Sequence, residues 1–243
     1  MHRCKDMQEV SYTGFHSAVM QLSPQRPSLE RYFRDVAMTH AETLPVAAPG
    51  LTAVLFGLSG CLVDFGARAA QELNAQPEHA KTTPGALDSL KSLQRQGIPC
   101  AWLDELPPAL AQPLAASLPD WIKPTQHSAT MNPWPAPNAC WQALMSLNID
   151  RLDGCVLVSG EPRLLQAGLN AGLWTIGLAS CGSLCGLSPS EWQVLSQKER
   201  EKLRGKATVQ LFGLGVHSVI DHLGELDACL ADISLRRAKG EKP

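Results

Sequence analysis

No stretch of the 243 residues holds the roughly 18–20 apolar side chains that a helix needs to cross a bilayer. The first residues include His2, Arg3 and Lys5, but Asp6 and Glu9 follow and no apolar segment comes after, so no secretory leader is expected. Charge of one sign is missing too. The 21 Lys and Arg against 23 Asp and Glu leave a formal net charge of −2, which gives nucleic acid or an anionic membrane no footing. The eight cysteines lack a pairing pattern. Cys181 and Cys185 are close, but no second Cys/His pair stands nearby at zinc-knuckle spacing. Free thiols in a reducing, cytoplasmic compartment are the expectation, with a metal or redox role for that pair as the alternative. Cys61, Cys100, Cys140 and Cys155 fall in apolar segments, where a thiol behaves as a small hydrophobe.

The length fits one large domain, or one domain with an appendage. The chain is organised around Leu51–Asp64. An apolar run, Ala53 to Phe56, meets a small-residue turn, Gly57 to Gly60, and this predicts a buried strand ending in a tight loop. In an open α/β sheet, ligands bind beside the loop after the first strand. The candidate active site is therefore here.

Residues 1–50 precede that strand and carry Pro24, Pro27, Pro45 and Pro49. Ser28 could cap a helix to about Thr39, with Leu29, Tyr32, Phe33 and Val36 at helical spacing. The extension is either a tail packed on the core or an arm that binds a protein partner or a second copy of the chain. Further helices are predicted at 67–73, at 84–96 with Leu87, Leu90 and Leu93 on one face, at 107–117, and at 139–147 with Cys140, Leu144 and Leu147 inward. Two more are predicted at 197–211 and at 223–235, the last with Leu226, Leu230 and Ile233 inward. Strands are predicted at 98–103, 121–124 and 155–159. Ser188 or Ser190 caps the helix after it, and 236–243 is a solvated tail.

The run Gly57-Leu58-Ser59-Gly60-Cys61-Leu62-Val63-Asp64 resembles the first motif of the haloacid dehalogenase (HAD) superfamily in its phosphonoacetaldehyde hydrolase branch, Asp-x-Ala-Gly-Thr-x-x-Asp. Ala167–Leu178, AGLNAGLWTIGL, is similar to that branch's EGLNAGMWTVGV. Gly215–Asp221 is similar to its closing GAHYVID. The resemblance covers roughly residues 51–235. It implies an α/β fold, a HAD-like Rossmannoid three-layer sandwich with a mainly parallel sheet. It also implies that the helical cap of the family, inserted at 65–83, is missing or vestigial.

Set against the family's motifs, the chemical positions differ. The nucleophilic Asp falls on Gly57. The phosphate-binding hydroxyl is replaced within Ala101–Glu105, where Asp104 and Glu105 would repel a phosphate. The basic residue of GRPAPW falls on Trp134, and a neutral indole cannot offset a dianion. Trp134 either plugs the pocket or faces a partner. The two magnesium-binding Asp positions fall on Gly160 and Leu164; Glu161 alone is a poor magnesium site, and Arg163 would add positive charge if it pointed inward. Lys81 is the only lysine in the cap region, but it sits in a proline-marked turn and does not suit Schiff-base chemistry. His217 and His222, near the closing strand, are expected to be structural.

Two expectations follow. One is a non-catalytic HAD-fold protein with no cofactor and no magnesium, binding a protein partner or a small ligand in a relic cleft of Ser59, Gly60, Cys61, Trp134 and Glu161. The alternative is a hydrolase with a rewired active site, phosphatase- or phosphonatase-like, using Ser59, Cys61, Asp64, Asp104 or Glu161.

Overall fold

The computed structural model describes residues 50–72, 76–125 and 132–243, all within the second of the chain's two units, Val46–Pro243. The N-terminal extension, with the helix expected after Ser28, lies outside the described residues.

Six strands form one sheet: β1 (Ala53–Gly57), β2 (Cys100–Leu103), β3 (Lys123–Pro124), β4 (Cys155–Ser159), β5 (Trp174–Leu178) and β6 (Ser218–Ile220). Their order is β3-β2-β1-β4-β5-β6, and every pair is parallel. β1, β4 and β5 are buried at every position. That is why β1 and most of β4 read as continuous apolar runs, since both faces of a parallel sheet are covered. Side chains alternate between faces. Val54 and Phe56 join Leu90, Leu114, Trp174 and Ile233 on one side, while Ala53 and Leu55 join Leu144, Leu157 and Leu164 on the other. The result is the expected three-layer α/β sandwich.

The helices are α1 (Arg68–Glu72), α2 (Ala86–Arg95), α3 (Pro108–Ala115), α4 (Asn138–Ser146), α5 (Pro162–Asn170), α6 (Pro189–Val194), α7 (Gln197–Gly213) and α8 (Leu226–Ala238). Ser188 caps α6 with a full capping box through Glu191, and Ser196 does the same for α7 through Glu199. None of these helices is long and apolar enough to cross a membrane.

Local details differ from expectation for identifiable reasons. In α2 the inward positions are Ala86, Ser89, Leu90 and Leu93, whereas Leu87 is 36% exposed. Ser89 takes an inward place because its hydroxyl donates to Leu223 O at 2.7 Å. Gly85 before this helix is required by close packing: a Cβ there would lie 2.1 Å from Gly224 N. The final helix runs past Leu235 to Ala238. Arg237, expected in the solvated tail, is 8% exposed and binds Asp153 and Gly50 O. Of the expected cap region 65–83, the described part holds α1 and a turn that pairs Thr82 with Val63.

Candidate functional site

β1 has β2 on one side and β4 on the other, so the strand order reverses between β1 and β4. In open parallel sheets, ligands bind at the carboxyl ends of such a switch point. A cleft of about 300 Å³ opens there, lined by Gly57, Ser59, Asp104, Trp134, Ser159 and Glu161 among others. Of the positions singled out in the sequence, Gly57, Ser59, Asp104, Trp134, Glu161 and Leu164 come together in this cleft. Gly60, Cys61 and Gly160 do not line it.

Gly57 is not an open gap. A Cβ on it would lie 2.7 Å from Ser159 Oγ and 3.4 Å from Leu164 Cδ2. Ser159 is fully buried, and its hydroxyl accepts from Glu161 N at 3.0 Å. The sequence reading missed this role for Ser159; its place as the last residue of a predicted buried strand was the available signal, and only the strand register sets it level with Gly57.

Gly160 is closed in by backbone. A Cβ there would lie 2.4 Å from Gly60 O and 2.4 Å from Gly182 Cα. Leu164 is fully buried in the core. Glu161 caps α5, accepting from Arg163 N at 3.2 Å, and its other oxygen accepts from Ser183 Oγ at 2.9 Å. A magnesium ion needs several oxygen ligands in near-octahedral array, and this donor set does not fit one. Among the described residues no cluster of three or more His, Cys, Asp or Glu is arranged to hold a metal.

Two residues of the expected relic cleft are corrected. Cys61 faces away from it: its thiol lies 3.4 Å from Val158 O, fully buried, and burial pushes its pKa well up. Gly60 turns its carbonyl into the Gly160–Gly182 contact. Asp64 is also set in structure rather than aimed at a ligand. Its Oδ1 accepts from Arg68 N and its Oδ2 from Ala69 N, both at 3.0 Å, so it caps α1. Ser59 Oγ donates to the same Oδ2 at 2.5 Å. Burial raises the Asp64 pKa, and these hydrogen bonds oppose the rise.

The neighbouring acids Asp104 and Glu105 behave differently. Glu105 is neutralised: Oε2 pairs with Arg163 Nη1 at 3.1 Å and Oε1 accepts from Trp134 N at 2.5 Å. Arg163, which also lines the cleft, donates to Trp134 O, so its guanidinium clamps the Trp134 loop. Trp134 itself is 8% exposed and packs into the core on the α4–α5 face. Asp104 has no cationic partner among the described residues. Its carboxylate accepts from Ser59 N at 3.0 Å and Leu106 N at 2.8 Å. Burial pushes its pKa up to about 6, against the pull of those N–H groups. A carboxyl poised there can take or give a proton near neutral pH.

Residues weighed as alternatives lie elsewhere. Lys81 lines a different cavity, with Trp192 and Arg200. His217 is structural: Nδ1 accepts from Thr175 N at 3.0 Å and the ring stacks obliquely on Trp174. Burial, then Arg236, lowers its pKa. His222 caps the turn at Gly224. Cys181 and Cys185 are free thiols.

No family profile matches the chain. Over 171 residues, 65% of this chain, it is 33% identical to phosphonoacetaldehyde hydrolases of Salmonella enteritidis and Klebsiella pneumoniae. The chain spans 61% of the length of these curated relatives. One solved crystal structure, 65% identical, superposes with a TM-score of 0.77 over 79% of this chain and 100% of that one. The structure of a phosphonoacetaldehyde hydrolase-like protein from Oleispira antarctica, 21% identical, shares the fold with a TM-score of 0.73, covering 81% of this chain and 97% of that chain. The expectation of a non-catalytic protein is corrected by these matches: the curated relatives are named as hydrolases, which points to an enzyme. With its parallel sheet, its cleft at the β1–β4 switch point and this shared sequence, the chain belongs to the HAD superfamily as a phosphonatase-like protein.

Proposed function

We propose that the protein is a phosphatase- or phosphonatase-type hydrolase with a rewired site, in which Asp104 is the general base and no metal takes part. The observation that carries this reading is the Asp104 carboxyl. It stands in the switch-point cleft on two backbone N–H donors, with its pKa raised to about 6 by burial.

Charge narrows the substrate. Among the described residues, Asp104, Glu105 and Glu161 line the cleft against one cation, Arg163, which Glu105 already pairs. Such a lining disfavours a dianionic monoester and suits a singly charged phosphoryl group, a phosphonate monoester or phosphodiester. In the reaction, Asp104 takes a proton from water and the hydroxide oxygen bonds to phosphorus. The P–O bond to the alcohol breaks, and the proton passes to the leaving oxygen. Phosphonoacetaldehyde itself, the substrate named for the relatives, suits this cleft poorly, because Lys81 lines a different cavity.

The test uses 4-nitrophenyl phenylphosphonate, which carries one charge, beside 4-nitrophenyl phosphate and phosphonoacetaldehyde, with EDTA present. Release of nitrophenol from the phosphonate ester is expected, with kcat/KM rising through about pH 6. Asp104→Asn should lower it on the order of 10²-fold or more. Turnover unchanged in Asp104→Asn, or found only after magnesium is added, would overturn the reading.

A further inference from the structure

A second cleft lies between α3 and the β2–β3 edge of the sheet, with a volume of about 580 Å³. We propose that it is a subsite for a neutral, apolar-bodied alcohol. Naming that alcohol as the leaving group of the substrate rests on the hydrolase reading above.

Three observations carry this. The walls are apolar: Trp102 and Ile122 on the sheet side, Leu118 below, Ala111 from α3. No Lys, Arg or His lines the cleft among the described residues, while exposed Asp120 and Gln112 stand among its lining. Such a cleft has nothing to hold an anion and suits a neutral body. Next, Thr125 is 9% exposed, and its Oγ1 has no hydrogen-bond partner among the described residues. An unpaired buried hydroxyl costs free energy, which a bound hydroxyl would recover once Thr125, a lining residue, turns its buried Oγ1 about χ1 toward the cleft. Finally, Asp104 and Leu106 line both this cleft and the one at the switch point, so the two cavities are neighbours that share Asp104 in their walls. An ester bridging them would place its phosphoryl group on one side of Asp104 and its alcohol on the other.

Binding is read by NMR, following the tryptophan indole signals of the full chain. The probes are benzyl alcohol and toluene, which differ by the hydroxyl. Wild-type protein should bind benzyl alcohol saturably and about 3- to 10-fold more tightly than toluene, the yield of one neutral hydrogen bond. Thr125→Val, which keeps the shape, should erase that preference. Ala115→Phe, which fills the cleft from α3, should weaken both probes. Equal affinity for the two probes in wild type, or a preference that survives Thr125→Val, would overturn the subsite, as would unchanged binding in Ala115→Phe. None of these measurements needs turnover. If Asp104→Asn spares hydrolysis while the binding pattern holds, the reaction reading falls and the subsite stands. If hydrolysis depends on Asp104 but the pattern is absent, the subsite falls alone.

Discussion

The Ser159 hydroxyl fills the place where a side chain on Gly57 would begin, 2.7 Å from an ideal Cβ. It also accepts from Glu161 N. Gly57→Ala must therefore swing that hydroxyl aside and break its hydrogen bond. The expected cost is about 1–2 kcal/mol, measured by urea unfolding. In a Ser159→Ala background the same change should cost less than half as much. Equal costs in both backgrounds would mean that the hydroxyl is not the obstacle.

Gly160 is a harder case, because its neighbours are backbone atoms that cannot rotate away. Gly160→Ala should cost about 3 kcal/mol by forcing its loop away from the backbone of Gly60 and Gly182. Gly160→Asp should be at least as costly and should not restore magnesium binding. A ligand that binds the folded state raises the melting temperature. Millimolar magnesium is expected to leave the melting temperature of wild type and Gly160→Asp unchanged, and a rise in either would contradict the site geometry.

Asp104 should imprint itself on stability as well as on rate. An unfolded aspartate titrates near 4, while burial lifts the folded group to about 6. Between these values the folded state keeps a proton that the unfolded state has lost. Wild type therefore loses stability as pH rises from about 4 to about 6, by roughly 2–3 kcal/mol from this group. The Asp104→Asn variant lacks that contribution. Its unfolding free energy relative to wild type should climb by this amount over the same window, then level off.

The buried thiol offers a fourth check. Burial raises the pKa of Cys61 well above the ordinary range. Thiolate is the reactive species, so alkylation near pH 6, followed by peptide mapping, should modify Cys61 last, after the half-buried Cys185 and Cys229. Fast labelling of Cys61 would return it to the list of nucleophile candidates.

Much of the scaffold was legible in the sequence because each element carries its own local signal. The unbroken apolar runs of β1 and β4 mark doubly covered strands. Leu226, Leu230 and Ile233 show the inward face of α8, and all three are buried. Ser188 with Glu191 marks the start of α6. Leu87 shows the limit of such reading. Its spacing suits the buried stripe, but the stripe is completed by Ser89, whose partner Leu223 lies far along the chain.

The site was legible only in part. The sequence placed it after β1, and the cleft is there. Local pattern could not tell that Asp104 and Glu105, adjacent in the chain, end in opposite electrostatic states. One is paired with Arg163, contributed by α5. The other is buried on the N–H groups of Ser59 and Leu106. Nor could it show Cys61 turned inward toward β4.

The sequence by itself determined the first four strands, most of the helices and the place of the cleft, because periodicity, caps and turn residues act over a few positions, while the parallel α/β class came through the resemblance of its motifs to the HAD superfamily. Only the tertiary structure decided which carboxyl stands in the cleft without a cation, which glycines are closed to a side chain, and that Thr125 Oγ1 has no partner among the described residues. Burial, charge pairing and close backbone approach are set by residues distant in the chain, and no local pattern encodes them.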